Sequence, residues 1–329
     1  MKLINSSFEI LEQEPGLQGI YKQIELAGRT CYKSLDKITK DSAKDFVDRM
    51  INSKHYAMLE HGTVYLLFSR CCYDRHDGEF IDKYIGNPYS KVVYIGTDDN
   101  LVEQTPGKEN YLGDILGTGV YGNALYTITT NYRVLVENDW LDDLQYLCEP
   151  TEHHEKRVTV KFITDRGVSH EFVRHRVFSF AQESTRYCNY SKDKFGNELT
   201  FIIPSWYNKE TDSAVKLKFL DYLTTTEGLY LDLLRGSYWA KKVIEGGATY
   251  EKFENIEKVF APLTPQQARQ VLPNALKTEL VMTGFVSDWK HLFRLRTSFI
   301  AETGKPHPDM SNLCDPLYKE FVKRGFIEK

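Results

Sequence analysis

Val158, Val160 and Phe162 alternate with Thr159 and Lys161, so this stretch reads as a half-buried strand that ends near Thr164 and Asp165. The segment beyond this strand constrains the fold most. Residues 174–187 hold Arg174, His175, Arg176, Ser179, Gln182, Glu183, Ser184, Arg186 and Tyr187, a density of polar side chains that an apolar interior does not accommodate. The core must be built elsewhere, with this cluster presented beyond a strand end. A helix is predicted to begin near Ser169, with Ser169 as its N-cap after Gly167, and to carry Phe172 through Arg176. Two guanidinium forks, a serine hydroxyl and helix-start amides suit a phosphate monoester or a pyrophosphate, because arginine offers bidentate, permanently charged donors. The competing reading is a solvated basic turn paired with Glu171 and Glu183.

The rest of the chain supplies ordinary elements. Leu17, Ile20, Tyr21, Ile24, Ala27 and Cys31 recur at helical spacing, as do Ala43, Phe46, Val47, Met50 and Ile51, so two amphipathic helices open the chain. Residues 62–68 read as a buried strand with His61 at its mouth. From about 70 to 156 the chain turns rich in Asp, Gly and Tyr, with strands expected only at 91–95 and 125–130; this region reads as an insertion. Another strand is expected at 200–204, and one or two core helices over 214–245, divided or ended at Gly228, Gly236 or the Gly246, Gly247 pair. Thr264, Pro265 and Gln267 form a capping-box start for a short helix bearing Arg269. A last helix over 287–299 puts Trp289, Leu292 and Phe293 on one face, and the next position on that face is Arg296. An arginine on a buried face requires an anion or an acceptor.

The bulk numbers narrow the classes. A chain of 329 residues, 41% hydrophobic and 27% charged, suits a globular protein read here as a single catalytic domain over 1–329. The net charge of -4 argues against a broad nucleic-acid or membrane surface, so any anion must be held locally. The six cysteines form no CxxC pair, which predicts neither a disulfide framework nor a metal site and favours a cytoplasmic location. No export signal is evident near the first residues, and no apolar run approaches the roughly eighteen residues of a membrane span. A GxGxxG match within 116–122 precedes a strand rather than the helix a dinucleotide site needs. His170, Glu171 and His175 are spaced HExxxH, not as a zinc motif, and His153 and His154 read as part of an exposed charged loop. Cys188 reads as an isolated buried thiol.

Arg174, His175, Arg176, seven intervening residues and Ser184, followed by Arg186 and Tyr187, resemble the RHRx7S signature of the flavin-dependent thymidylate synthases. The likeness extends in order to Gly28–Tyr32, to Leu59, Glu60, His61, Gly62 and Thr63, to Ala268–Pro273, and to Trp289 through Arg296. It implies an α+β fold with a mixed helix and antiparallel-sheet core, interrupted by the 70–156 insertion. The implied reaction is methyl transfer to dUMP, giving dTMP, with methylenetetrahydrofolate as one-carbon donor and FAD, reduced by NADPH, as hydride donor.

Residue by residue, the resemblance implies that Thr63, Arg174, His175, Arg176, Gln182 and His291 contact the flavin, with His61 nearby. It implies that Glu171, Arg174, Gln182, Glu183, Ser184, Thr185, Arg186, Arg269 and Arg296 surround dUMP, with Arg296 as the activating group, and that the sites form between subunits of a homotetramer. Glu171 stands where many relatives carry Gln, and His307 follows the position of a family histidine by several residues. The alternative function is a module that binds anions or single-stranded nucleic acid through the basic cluster 174–186, helped by 21 tyrosines and 18 phenylalanines.

Overall fold

The computed structural model describes residues 1–70, 75–96, 124–235, 239–244, 247–252, 262–302 and 304–328. In chain order these form β1 (Lys2–Ile4), β2 (Ser7–Leu11), α1 (Gly16–Tyr32), α2 (Ser42–Asn52), β3 (Thr63–Arg70), α3 (Arg75–Ile85), β4 (Lys91–Gly96), β5 (Ala124–Asn131) and α4 (Tyr132–Glu137). There follow β6 (Arg157–Asp165), α5 (Arg166–Phe172), β7 (Ser179–Gln182), β8 (Thr200–Ile202), α6 (Ser213–Arg235), β9 (Trp239–Ile244) and β10 (Gly247–Lys252). The chain closes with α7 (Pro265–Ala268), β11 (Lys277–Phe285), α8 (Val286–Arg296) and α9 (Pro308–Lys323).

The organising layer is a four-stranded antiparallel sheet in the order β2, β6, β11, β7. One face, with Val158, Val160, Phe162, Leu280 and Met282, packs against Trp289, Leu292 and Phe293 of α8 and Leu313, Leu317 and Phe321 of α9. Trp289 is fully buried and its indole N–H donates to the Val158 carbonyl at 3.1 Å, so its truncation would cost about 3–5 kcal/mol. The other face contributes Ala181 and Val281 to a second core with α1, α2 and the turn before β3. That core extends onto the antiparallel sheet β3, β5, β4, which the sequence read as two strands of an insertion beside a family strand. A third cluster gathers Leu199, Phe201, Leu276 and Tyr190 around Leu223 and Tyr230 of α6.

Several boundaries differ from expectation. The helix after β6 starts at Arg166, capped by Asp165, whose Oδ1 accepts from Val168 N at 2.8 Å; a Cβ on Gly167 would lie 2.9 Å from that oxygen, so glycine leaves the cap its room. Ser169 lies inside the helix instead, its hydroxyl turned back to the Arg166 carbonyl at 2.8 Å. The helix ends at Phe172, because the chain must reverse to pair Ser179 with Thr283, and Arg174–His175–Arg176 therefore occupy a turn. Over 214–245 the helix runs through Gly228 to Arg235, and then residues 239–244 form a strand, paired residue for residue with 247–252, rather than more helix. Helix α8 stops at Arg296 because Thr297 turns extended and its hydroxyl bonds Phe293 O at 2.8 Å. His154 is buried, not exposed: its Nε2 faces the Leu66 carbonyl at 3.1 Å and its Nδ1 meets Thr151. Residues 116–122, with the GxGxxG match, lie outside the described residues.

Candidate functional site

The expected capping box at α7 is present: Thr264 N donates to Gln267 Oε1 at 3.0 Å, with Pro265 in the first turn. Arg269 follows at the start of a 3-10 turn, exposed. Arg186 Nε reaches α7 and donates to Gln266 Oε1 at 2.8 Å, while its guanidinium lies 5.2 Å from the Tyr187 ring. Gln266 and Arg269 are three residues apart, so Arg269, just past the end of α7, follows on the side of the helix that Arg186 reaches. Ser184 anchors this turn, donating its N–H to Cys31 O at the end of α1 at 2.9 Å and accepting Arg186 N on its hydroxyl at 3.3 Å. Thr185 is buried next to it. The turn thus presents the Ser184 hydroxyl and the Arg186 guanidinium, with Arg269 exposed just beyond the α7 helix that Arg186 contacts.

On the other side of β7, Arg296 comes from the end of α8 and meets α5. Its Nη1 donates to Glu171 Oε2 at 2.8 Å and its Nε to His175 Nε2 at 3.2 Å. The latter bond requires an unprotonated Nε2, and burial, reinforced by Arg296 and His291, holds the His175 pKa down at about 4. The buried-side arginine has found acceptors, as its place on the helix face demanded. Arg174, Arg176 and His291 are exposed, and their side chains have no hydrogen-bond or ion-pair partner among the described residues. The four residues of β7, about 13 Å of strand, separate Arg174 and Arg176 from Arg186 along the chain.

The third expected group lies at the entry to β3. His61 is fully buried, with Nδ1 2.8 Å from Thr283 Oγ1, and that hydroxyl lies 2.9 Å from Thr159 Oγ1. Burial pushes its pKa down to about 3, and Nε2 has no partner among the described residues. Thr63 exchanges two 2.8 Å bonds with the Gln13 amide, and Gly62 admits no side chain because a Cβ would stand 2.7 Å from Ile20. Gln182, at the far end of β7, donates to Ser169 Oγ at 2.8 Å and Thr278 Oγ1 at 3.3 Å.

Glu183 turns away from the arginines into a buried charge network. It accepts from Tyr190 Oη at 2.7 Å and Lys277 Nζ at 2.9 Å; Lys277 also bonds Glu279, which pairs with Lys161 at 2.7 Å. These cations hold the Glu279 carboxyl down at about 2. Sequence reasoning missed Lys277 and Glu279 along with β11 itself, although their i,i+2 spacing places both on one strand face. The Cys188 thiol is buried and pushed up to about 12, which leaves it inert as a nucleophile.

Fold and site together define an α+β protein whose arginines are gathered from separate elements. The chain belongs to the thymidylate synthase complementing protein family, which matches residues 146–324. A flavin-dependent thymidylate synthase of Corynebacterium efficiens is 32% identical over 151 residues, covering 45% of this chain and 51% of that protein. A probable flavin-dependent thymidylate synthase of Paramecium bursaria Chlorella virus 1 is 26% identical over 165 residues, 50% of this chain and 67% of the relative. The chain thus spans about half the length of the first of these relatives. A UMP/dUMP methylase, PolB of Streptomyces cacaoi, solved with 5-Br dUMP, aligns with 98% of this chain and 93% of its own at 12% identity and a TM-score of 0.41, a likeness too loose to carry detail.

Proposed function

We propose that this protein is a flavin-dependent thymidylate synthase that converts dUMP to dTMP. The observation that carries the reading is the Glu171–Arg296 pair. Arg296 Nη2 and Glu171 Oε1 have no hydrogen-bond partner among the described residues, so the pair offers a donor beside an acceptor. The imide edge of uracil carries the complement, a carbonyl beside an N–H. A guanidinium against that carbonyl stabilises negative charge on the ring oxygen and drives electron density to C5, the carbon to be methylated. Ser184, Arg186 and Arg269 would hold the nucleotide phosphate.

Arg174 and Arg176 are exposed cations suited to the pyrophosphate of a flavin dinucleotide, with His291 exposed on α8, whereas Thr63 and His61 at the β3 entry are buried and present no exposed face to it. When bound and reduced by NADPH, the flavin supplies the hydride that completes a methyl group delivered by methylenetetrahydrofolate. The homotetramer, with sites shared between subunits, rests on the family resemblance; the exposed Arg174 and Arg176 side chains, which meet no acceptor among the described residues, are compatible with it. We keep 70–156 as an insertion in a single catalytic domain on the resemblance of the segments on either side of it; the family match begins at residue 146. The thiols of Cys31, Cys148, Cys188 and Cys314 are free of disulfides. No helix among the described residues is long and apolar enough to cross a membrane.

Calorimetric titration of dUMP into the full chain, with and without FAD, tests the reading: saturable dUMP binding that strengthens or weakens with FAD is expected. Salt-sensitive binding of a single-stranded oligonucleotide tighter than that of dUMP would overturn it in favour of a nucleic-acid module.

A further inference from the structure

Arg157, at the first position of β6, stands in an unusual environment. Its Nη1 donates to the Glu60 carbonyl at 3.0 Å and to Thr63 Oγ1 at 3.4 Å, and its Nη2 to Ser179 Oγ at 3.3 Å; every one of these acceptors is neutral. Its Nε is buried without a partner among the described residues, and the Phe285 ring lies 5.6 Å from the guanidinium carbon. Among the described residues no carboxylate forms an ion pair with it. The acids that act on it at longer range are engaged elsewhere: Glu60 bonds Arg133, and Asp288 accepts from Phe285 N at 3.0 Å. Burial accordingly holds the Arg157 pKa down at about 10.

A guanidinium withdrawn from water without a counter-charge costs stability, and it is retained at least cost where a ligand brings the missing anion. Arg157 has such an opening. With Lys156 it lines a cleft of about 330 Å3 whose walls include Tyr65, Leu147 and Val158. Three carboxylates also line the cleft: Glu12 pairs with Arg324 at 2.7 Å and Glu14 with Lys22 at 2.6 Å, while Glu149 is exposed to solvent. A further cation, Lys91 of β4, lies 5.7 Å from the same Phe285 ring.

We propose that Arg157 is an anion-binding residue of this cleft, receiving the phosphate or carboxylate group of a ligand whose flat or apolar body lies along Tyr65, Leu147 and Val158. The observation is independent of the Glu171–Arg296 pair. Two kinds of ligand own such a group, a dinucleotide through its pyrophosphate and a folate through its carboxylate tail.

The experiment titrates the full chain, as wild type, Arg157→Gln and Arg157→Lys, with FAD, NADPH, folate, inorganic pyrophosphate and dUMP by calorimetry, with urea unfolding of each variant alongside. At least one of the first four ligands is expected to bind Arg157→Gln about tenfold more weakly or worse, with partial recovery in Arg157→Lys and unchanged dUMP affinity. A loss for FAD, NADPH and pyrophosphate together assigns the group to a dinucleotide, and a loss for folate alone assigns it to the folate tail. Equal binding of all four by wild type and Arg157→Gln, or no binding of any, overturns the proposal, as does a parallel fall in dUMP affinity. Should wild type fail to bind dUMP, the thymidylate reading falls, while the Arg157 dependence of the other four still decides this one.

Discussion

Removing Arg296 separates its structural from its chemical contribution. The ion pair with Glu171 is one 2.8 Å contact between side chains 22% and 33% exposed, so Arg296→Ala should cost only about 1 kcal/mol of stability and leave the fold intact. The neighbour reports the loss. His175 is held at about 4 first by burial and then by the Arg296 charge, so without the guanidinium, and with Glu171 released beside it, its pKa should rise while staying below the ordinary 6.5. A screened charge at this range is worth about 1–2 kcal/mol, or roughly one pH unit. Turnover should fall by roughly 10²–10³-fold, the usual cost of one donor aimed at a developing oxyanion. Histidine NMR titration and dTMP formation read the two effects on the same sample. Unchanged turnover in a folded variant that still binds dUMP would remove Arg296 from the activating role, and an unmoved His175 resonance would refute the contact.

Other predictions rest on the same geometry. His61 is neutral in the folded protein, its pKa lowered from 6.5 to about 3, so below pH 6.5 the unfolded chain takes up a proton the native state refuses and stability falls as pH falls toward 3. Between pH 7 and pH 5 this amounts to about 2 kcal/mol, visible in urea unfolding, and His61→Asn should lose less over the same interval. Ser184→Ala should weaken dUMP binding by about tenfold without altering the unfolding midpoint by much, since the Ser184 N–H to Cys31 O bond survives; calorimetry checks it. Cys188→Ala should retain dTMP synthesis, and its abolition with dUMP affinity and FAD content intact would reinstate a thiol nucleophile.

The parts of this molecule that announce themselves in sequence are those with one wet face. β6 alternates and is readable; β11 is buried at every position, lying between β6 and β7 with a core on each side, and a strand buried on both faces has no alternation to read. The capping box at Thr264 is local chemistry and is legible in full, whereas the cap at Asp165 is easily misplaced onto Ser169, because both residues can cap and only the register with β11 decides between them. α9 escapes the sequence reading although Pro308 at its first turn and Met310, Leu313, Cys314, Leu317 and Phe321 on one face spell a helix. At the site, the arginine cluster and Arg296 are legible from residue type and spacing. The pairings are not: Glu171 with Arg296 and Glu183 with Lys277 are 125 and 94 residues apart. Arg157 gives no local signal, because its peculiarity is a missing partner in space.

The most direct measurement is NADPH oxidation by the purified full chain supplied with FAD and methylenetetrahydrofolate, with and without dUMP, with dTMP followed by chromatography. The account predicts flavin-dependent oxidation whose rate changes when dUMP is added and which yields dTMP. Oxidation indifferent to dUMP with no dTMP formed, or no flavin-dependent oxidation at all, would contradict it and leave the arginines serving another anion.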